Sequence, residues 1–285
     1  MKVMPQPDKE HAPPPYRDDS VYRAAYGVSD GLLADHVIAG RSILPGASMI
    51  DLALAAAQAR QRPCPALKDV LICRPGVARE QLNVEVRWGN SSFTIHERRN
   101  LLCIGRLEER ESAPKANVLM FDVAARGEPV EPRALYADLD RLGYRYGPGL
   151  QVIRSVLKLT DGMLFNLSAG NHPDCRSEAM NPVLLDGAIQ AVFCLLQHSD
   201  KPIRPGGLLV PTGIRRLSIH GSVQGTCFVQ LGESALTRQA DDVLADLQIR
   251  NERGRPLLRI EGLLLKYVPR DFLDKFDAPA PAEPS

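Results

Sequence analysis

The 285-residue chain (31.3 kDa) is 44% hydrophobic and 24% charged, enough apolar material for one large core or two similar smaller ones. Lys and Arg (35) nearly balance Asp and Glu (34), which argues against nucleic acid as the main partner and removes the electrostatic basis for binding anionic membranes. No apolar run approaches the roughly eighteen residues a membrane-spanning helix needs, and aromatics, at 5% with a single Trp, are too few for base-stacking platforms.

In chain order, residues 1–18 read as a linker, rich in Pro and charge and without the apolar core of a secretory signal. Pro45 and Gly46 then mark the start of a helix over Ala47–Arg60, with Met49, Ile50, Ala53, Leu54 and Ala57 on one stripe. Short apolar-rich runs at Leu67–Cys73, Leu82–Trp88, Ser92–His96 and Leu101–Leu107, separated by turn residues, predict strands. A polar, Pro-containing stretch between about Glu108 and Arg133 predicts a boundary, and Pro132–Leu142 an amphipathic helix with Leu135, Leu139 and Leu142 as its stripe. Strands follow at Val152–Leu159 and Met163–Leu167. A second apolar helix is expected over Pro182–Gln197, with Asn181 as N-cap and Pro182 in the first turn. The last strands are expected at Ile214–His220, Thr226–Leu231, Val243–Arg250 and Leu257–Val268, before a second linker over residues 273–285.

Both main helices are apolar nearly all round and should be buried. Strands in series around each predict antiparallel sheet, an α+β class, in two similar units over residues 19–125 and 126–272. One sheet wrapped around one helix, done twice, is the double hotdog. An ordinary α+β domain satisfies the same pattern.

The six cysteines form no C-x-x-C pair and read as reduced, mostly buried thiols of a cytoplasmic protein. His172 and Cys175 have a metal-like spacing that no second pair answers, so no metal site is expected.

Three segments could carry chemistry. His36 lies in D-H-V-I-A-G-R-S-I-L-P-G among apolar residues, where a neutral imidazole can accept a proton. Gly40 would let a substrate approach the backbone, and the turn after it leads to a helix start whose free N–H groups can hold developing negative charge. Asp186 lies in the first turns of the second apolar helix, where burial favours its protonated form, and Gln190 shares its face at i+4. In Leu142-Gly-Tyr-Arg-Tyr-Gly-Pro148, Tyr144 or Tyr146 could offer a hydroxyl to a substrate. Taken singly, each segment has an ordinary structural explanation.

Together they resemble the dehydratase domains of modular polyketide synthases. The family pattern H-x-x-x-G-x-x-x-x-P is met by His36, Gly40 and Pro45. The pattern G-Y-x-Y-G-P-x-F is met by Gly143, Tyr144, Tyr146, Gly147 and Pro148, with Leu150 in place of Phe. The pattern D-x-x-x-Q/H is met by Asp186 and Gln190. A fourth, L-P-F-x-W, is degraded: in Leu209–Ile214 only Pro211 survives, which implies an altered acyl-tunnel lining.

The resemblance implies a lyase that removes water from a β-hydroxyacyl thioester carried on the phosphopantetheine arm of an acyl carrier protein. His36 would be the base and Asp186 the acid, with Gly40, Pro45, Tyr144 and Gln190 supporting them. No metal, nucleotide or redox cofactor is implied. The expected partners are the carrier protein, other polyketide synthase domains and a second copy in a homodimer, with Arg204, Arg215 and Arg216 as candidates for the carrier's acidic surface. Intact Pro45 and Asp186 favour plain dehydration over double-bond shifting. A dehydratase that also closes a pyran ring, and a non-catalytic acyl-binding module of the same fold, stay open.

Overall fold

A computed structural model describes residues 21–29, 31–62, 66–89, 91–108, 127–170, 172, 174–200, 202–204 and 206–276. The linker expected over residues 1–18, most of the expected boundary segment and Cys64 lie outside these residues.

The first unit contains β1 (Val21–Gly27), α1 (Gly31–Asp35), β2 (His36–Ile38), β3 (Arg41–Leu44), α2 (Gly46–Ala59), β4 (Ala66–Ile72), β5 (Gly76–Ala78), β6 (Gln81–Trp88), β7 (Ser92–Glu97) and β8 (Asn100–Glu108). The second contains β9 (Glu128–Val130), α3 (Pro132–Leu142), β10 (Tyr144–Tyr146), β11 (Ile153–Leu159), β12 (Gly162–Ser168), α4 (Pro182–Gln197), β13 (Gly207–Ile219), β14 (Thr226–Leu231), β15 (Leu236–Gln239), β16 (Asp242–Arg250) and β17 (Pro256–Pro269). A 3-10 segment, Arg270–Phe276, follows. It carries the packed chain past residue 272, with Leu273 buried and Phe276 under the Arg74 guanidinium.

α2 and α4 are the two buried helices. In α4 every residue from Pro182 to Leu196 is buried, and the Asn181 side chain caps the helix by accepting from the Val183 N–H. A helix apolar on all sides needs cover on all sides, and antiparallel sheet supplies it. Thirteen strands form one sheet whose path runs β1-β6-β7-β8-β4-β13-β17-β16-β14-β12-β11-β9, with β15 on β16. The fold is the expected double hotdog, with one refinement. The two wrapping sheets are joined edge to edge where β4 pairs antiparallel with β13, Leu67 opposite Leu217 and Gly213 opposite Leu71. Open strand edges on β4 and β13 would leave backbone donors and acceptors unpaired, and the junction satisfies them.

A second, four-stranded sheet, β10-β2-β3-β5, decides where the site forms. Three of its strands come from the first unit and β10 from the second. Strands of three residues cannot be read from periodicity, and this sheet has no counterpart among the sequence expectations. β2 and β3 form a hairpin with a two-residue turn, Ala39 (φ 47°) and Gly40 (φ 79°). Positive φ at both turn positions matches the twist of the strands. β10 pairs with β2 so that Tyr144 lies opposite Ile38 and Tyr146 opposite His36.

Candidate active site

His36 and Asp186, one from each unit, meet in the core. The residues are 8% and 5% exposed, and His36 Nε2 lies 3.9 Å from Asp186 Oδ1. The other ring nitrogen, Nδ1, is 2.7 Å from the Ile43 carbonyl. A carbonyl can only accept, so Nδ1 carries the proton and Nε2 presents a lone pair towards the carboxyl group. The hairpin fixes this tautomer, because β3 sets Ile43 beside His36.

Burial pushes the Asp186 carboxyl above the usual range, against the opposing pull of His36 and of the Gln190 hydrogen bond. Gln190, fully buried and one turn on, donates to Asp186 Oδ2 (2.8 Å) and to the Leu150 carbonyl (3.0 Å). Its Oε1 accepts from the Tyr136 hydroxyl at 3.0 Å, and that hydroxyl accepts from the Ile153 N–H at 3.1 Å. The sequence reading paired Asp186 with Gln190 correctly and passed over Tyr136, which looks like one more apolar position on α3.

The two tyrosines divide differently from the expectation. Tyr144 was expected to assist, but its hydroxyl donates to the Leu209 carbonyl at 2.9 Å and also accepts from the Leu209 N–H. β13 pairs with β4 only from Gly213 onward, so Leu209 lacks a strand neighbour on that side, and the phenol replaces one. Tyr146 stands beside His36 instead, with ring centroids 5.7 Å apart. It is buried, and no hydrogen bond from its hydroxyl is found among the described residues.

Gly40 and Pro45 serve the backbone. Gly40 is exposed at the hairpin turn, where its positive φ favours glycine and a Cβ would meet no protein atom within 4 Å. Pro45 (φ −55°, ψ 142°) is the N-cap of α2, leaving the Gly46 and Ala47 N–H groups without an intrahelical acceptor. Asp35, also passed over, joins the units: its carbonyl accepts from the Gly147 N–H (2.8 Å) and its Oδ2 from the Gly149 N–H (2.7 Å). This fixes the Gly147–Gly149 turn directly after β10 and so the register of Tyr146.

Elsewhere, the Cys175 thiol donates to the Ser177 and Met180 carbonyls, and no cluster of three potential metal ligands occurs among the described residues. The five described cysteines are free thiols, and no described helix is long and apolar enough to cross a membrane. Of the candidate basic patch, Arg204 pairs with Asp241 (2.8 Å) and Arg216 with Glu108 (3.1 Å).

Two hotdog units thus bring a buried imidazole and a carboxyl group together in one core. Residues 94–274 match the family model described as "Polyketide synthase dehydratase N-terminal domain", and residues 9–99 match "Polyketide synthase dehydratase domain". The chain belongs to the polyketide synthase dehydratase family, whose activity is that of a lyase. Polyketide synthase GfsE of Streptomyces halstedii is 27% identical over 260 residues, covering 85% of this chain and 7% of that protein. Polyketide synthase ThaG of Burkholderia thailandensis is 30% identical over 250 residues, covering 81% of this chain and 4% of that protein. The chain therefore spans a small fraction of these multidomain relatives. Among solved structures, the dehydratase domain of RzxB from Pseudomonas fluorescens superposes with a TM-score of 0.70 at 22% identity, covering 86% of this chain and 94% of that one. The dehydratase domain from the CurH module of curacin polyketide synthase gives 0.72 at 17%, covering 89% and 94%.

Proposed function

We infer that this chain removes water from a β-hydroxyacyl thioester delivered by an acyl carrier protein of a polyketide synthase, with His36 as base and Asp186 as acid. The observation that carries the reading is the 3.9 Å approach of His36 Nε2 to Asp186 Oδ1 in a buried setting. His36 Nε2 takes the α-proton. The electron pair of that C–H bond forms the double bond, and the C–O bond to the β-hydroxyl breaks. Asp186, whose protonated form burial favours, gives its proton to the departing oxygen, so water leaves and the α,β-unsaturated thioester remains. The site then holds an imidazolium and a carboxylate, and one proton transfer between them restores the starting forms.

The free N–H groups of Gly46 and Ala47 at the start of α2 suit the thioester oxygen, on which negative charge develops. Tyr146, with its hydroxyl unengaged beside His36, suits the β-hydroxyl better than Tyr144. The elimination transfers protons and expels water with no net change of oxidation state, and needs no metal, nucleotide or redox cofactor. The carrier protein and neighbouring synthase domains are the partners this chemistry requires. The two-unit division at about residue 125 is supported by the placement of one wrapped helix on either side.

The test is mass-spectrometric turnover of β-hydroxyacyl thioesters on a carrier protein or pantetheine. Wild type loses 18 Da, the mass of one water, while His36→Ala and Asp186→Asn each slow the reaction by about 10²- to 10⁴-fold. Tight acyl binding without water loss by the wild type would instead leave a binding module. Cyclisation of an offered enoyl substrate with a distal hydroxyl would add the ring-closing activity.

A further inference from the structure

We propose that Tyr136 is a positioning residue for the acid: through Gln190 it holds Asp186 in the orientation that faces His36. The inference rests on the assignment of Asp186 given above and extends it to a helix that does not touch the reacting atoms.

The argument is one of donors and acceptors. Gln190 is fully buried, so its amide has no water to turn to. Two of its neighbours, the Leu150 carbonyl and Asp186 Oδ2, face its Nε2 at 3.0 and 2.8 Å. Leu150 can only accept. The third neighbour, the Tyr136 hydroxyl, has a lone pair already occupied by the Ile153 N–H at 3.1 Å, so its single proton is directed at Gln190 Oε1, 3.0 Å away. Both amide hydrogens therefore have acceptors, and Oε1 has a donor, in this orientation. A flipped Gln190 would set Oε1 against the Leu150 carbonyl, which has no proton to give, and its NH₂ against a hydroxyl already receiving a backbone donor.

The order of control runs from the backbone of β11, through Tyr136 on α3, to Gln190 on α4, and ends at Asp186. Without the phenol hydroxyl, the Ile153 N–H and Gln190 Oε1 are both buried and unpaired, and the amide is no longer held to one orientation. The Tyr136 ring also meets the Tyr146 ring edge-on at 6.3 Å, so a phenylalanine at position 136 keeps that packing and removes the hydroxyl alone.

The experiment is a kinetic cycle on the purified chain with racemic 3-hydroxyacyl-pantetheine as probe, comparing wild type, Tyr136→Phe, Gln190→Leu and the double variant. Tyr136→Phe is expected to lower kcat by between about tenfold and a hundredfold with KM unchanged. In the Gln190→Leu background the same change is expected to cost nothing further, because the route through the amide is already cut. Turnover is expressed per folded molecule, with the folded fraction read by far-UV circular dichroism, so that lost stability in Tyr136→Phe is not counted as lost kcat. Unchanged kcat in Tyr136→Phe, or an equal loss in both backgrounds, overturns the proposal and leaves the assignment of Asp186 intact. A wild type that releases no water overturns that assignment and this proposal together.

Discussion

At the scale of single residues, the site separates chemistry from support by what each side chain has left to offer. Tyr144 and Tyr146 are two positions apart on one strand and both buried, yet the Tyr144 hydroxyl is consumed by the backbone of Leu209 and the Tyr146 hydroxyl is not. Their variants should therefore fail in different ways. Tyr144→Phe strands a buried N–H and a buried C=O at Leu209 and should lower the free energy of urea unfolding by about 1–3 kcal/mol. Tyr146→Phe should leave stability nearly unchanged and reduce kcat per folded molecule by the larger factor. A kcat loss confined to Tyr144→Phe would reverse the two roles. Composition and spacing brought the tyrosines to notice. Which one faces the imidazole follows from the pairing of β10 with β2, a contact between residues more than a hundred positions apart in the chain, and no local pattern records it.

At the scale of elements, glycine does two distinct jobs around His36, and substitution should tell them apart. Gly40 needs its backbone angle: φ is 79° and the space around it is open. Alanine there should cost about 1–2 kcal/mol, the strain of a left-handed residue. Gly147 needs its missing side chain: a Cβ would lie 1.8 Å from Asp35 Oδ1 and 2.4 Å from Asp35 Cγ. Alanine at Gly147 must push β10 away from β2. It should cost a further 1–3 kcal/mol or so, as overpacking does, and should reduce turnover as Tyr146 leaves its place opposite His36. Equilibrium unfolding of both variants beside turnover checks the pair, with equal effects on turnover counting against the distinction. The elements legible in the sequence were the long ones. Pro182–Gln197 and Pro132–Leu142 are found within the expected limits because a stripe of apolar residues and a proline at the first turn are local signals. The three-residue strands β2, β5 and β10 carry no such signal, though they position half of the site. The junction of β4 with β13 was equally unreadable, since each strand alone only looks like an ordinary half-buried strand.

At the scale of the whole molecule, the two units are locked by more than the shared sheets. Asp51, fully buried on α2, accepts from the N–H groups of Arg176 (2.7 Å) and Ser177 (2.9 Å) in the segment that leads into α4. Burial raises its pKa to about 6, despite those hydrogen bonds. The folded state thus holds this proton more tightly than the unfolded chain, whose carboxyl titrates at its ordinary value of 3.8. The stabilisation is complete below that lower pKa and is lost as pH rises through about 6. Asp186, raised by burial as well, acts in the same sense. In urea unfolding, wild type should therefore lose stability relative to Asp51→Asn as pH increases from about 4 to about 7. A difference that does not vary with pH would mean that the carboxylate is fully accommodated by its two amide partners.

The small sheet shared by the units also sets a schedule. On a growing chain the imidazole is synthesised about 150 residues before its carboxyl partner, and β10 before α4. Until α4 has emerged and packed, β2 and β3 display a histidine with no acid opposite it. On the proposed assignment, a nascent first unit beside an acyl-loaded carrier is expected to be chemically silent until the second helix closes the core.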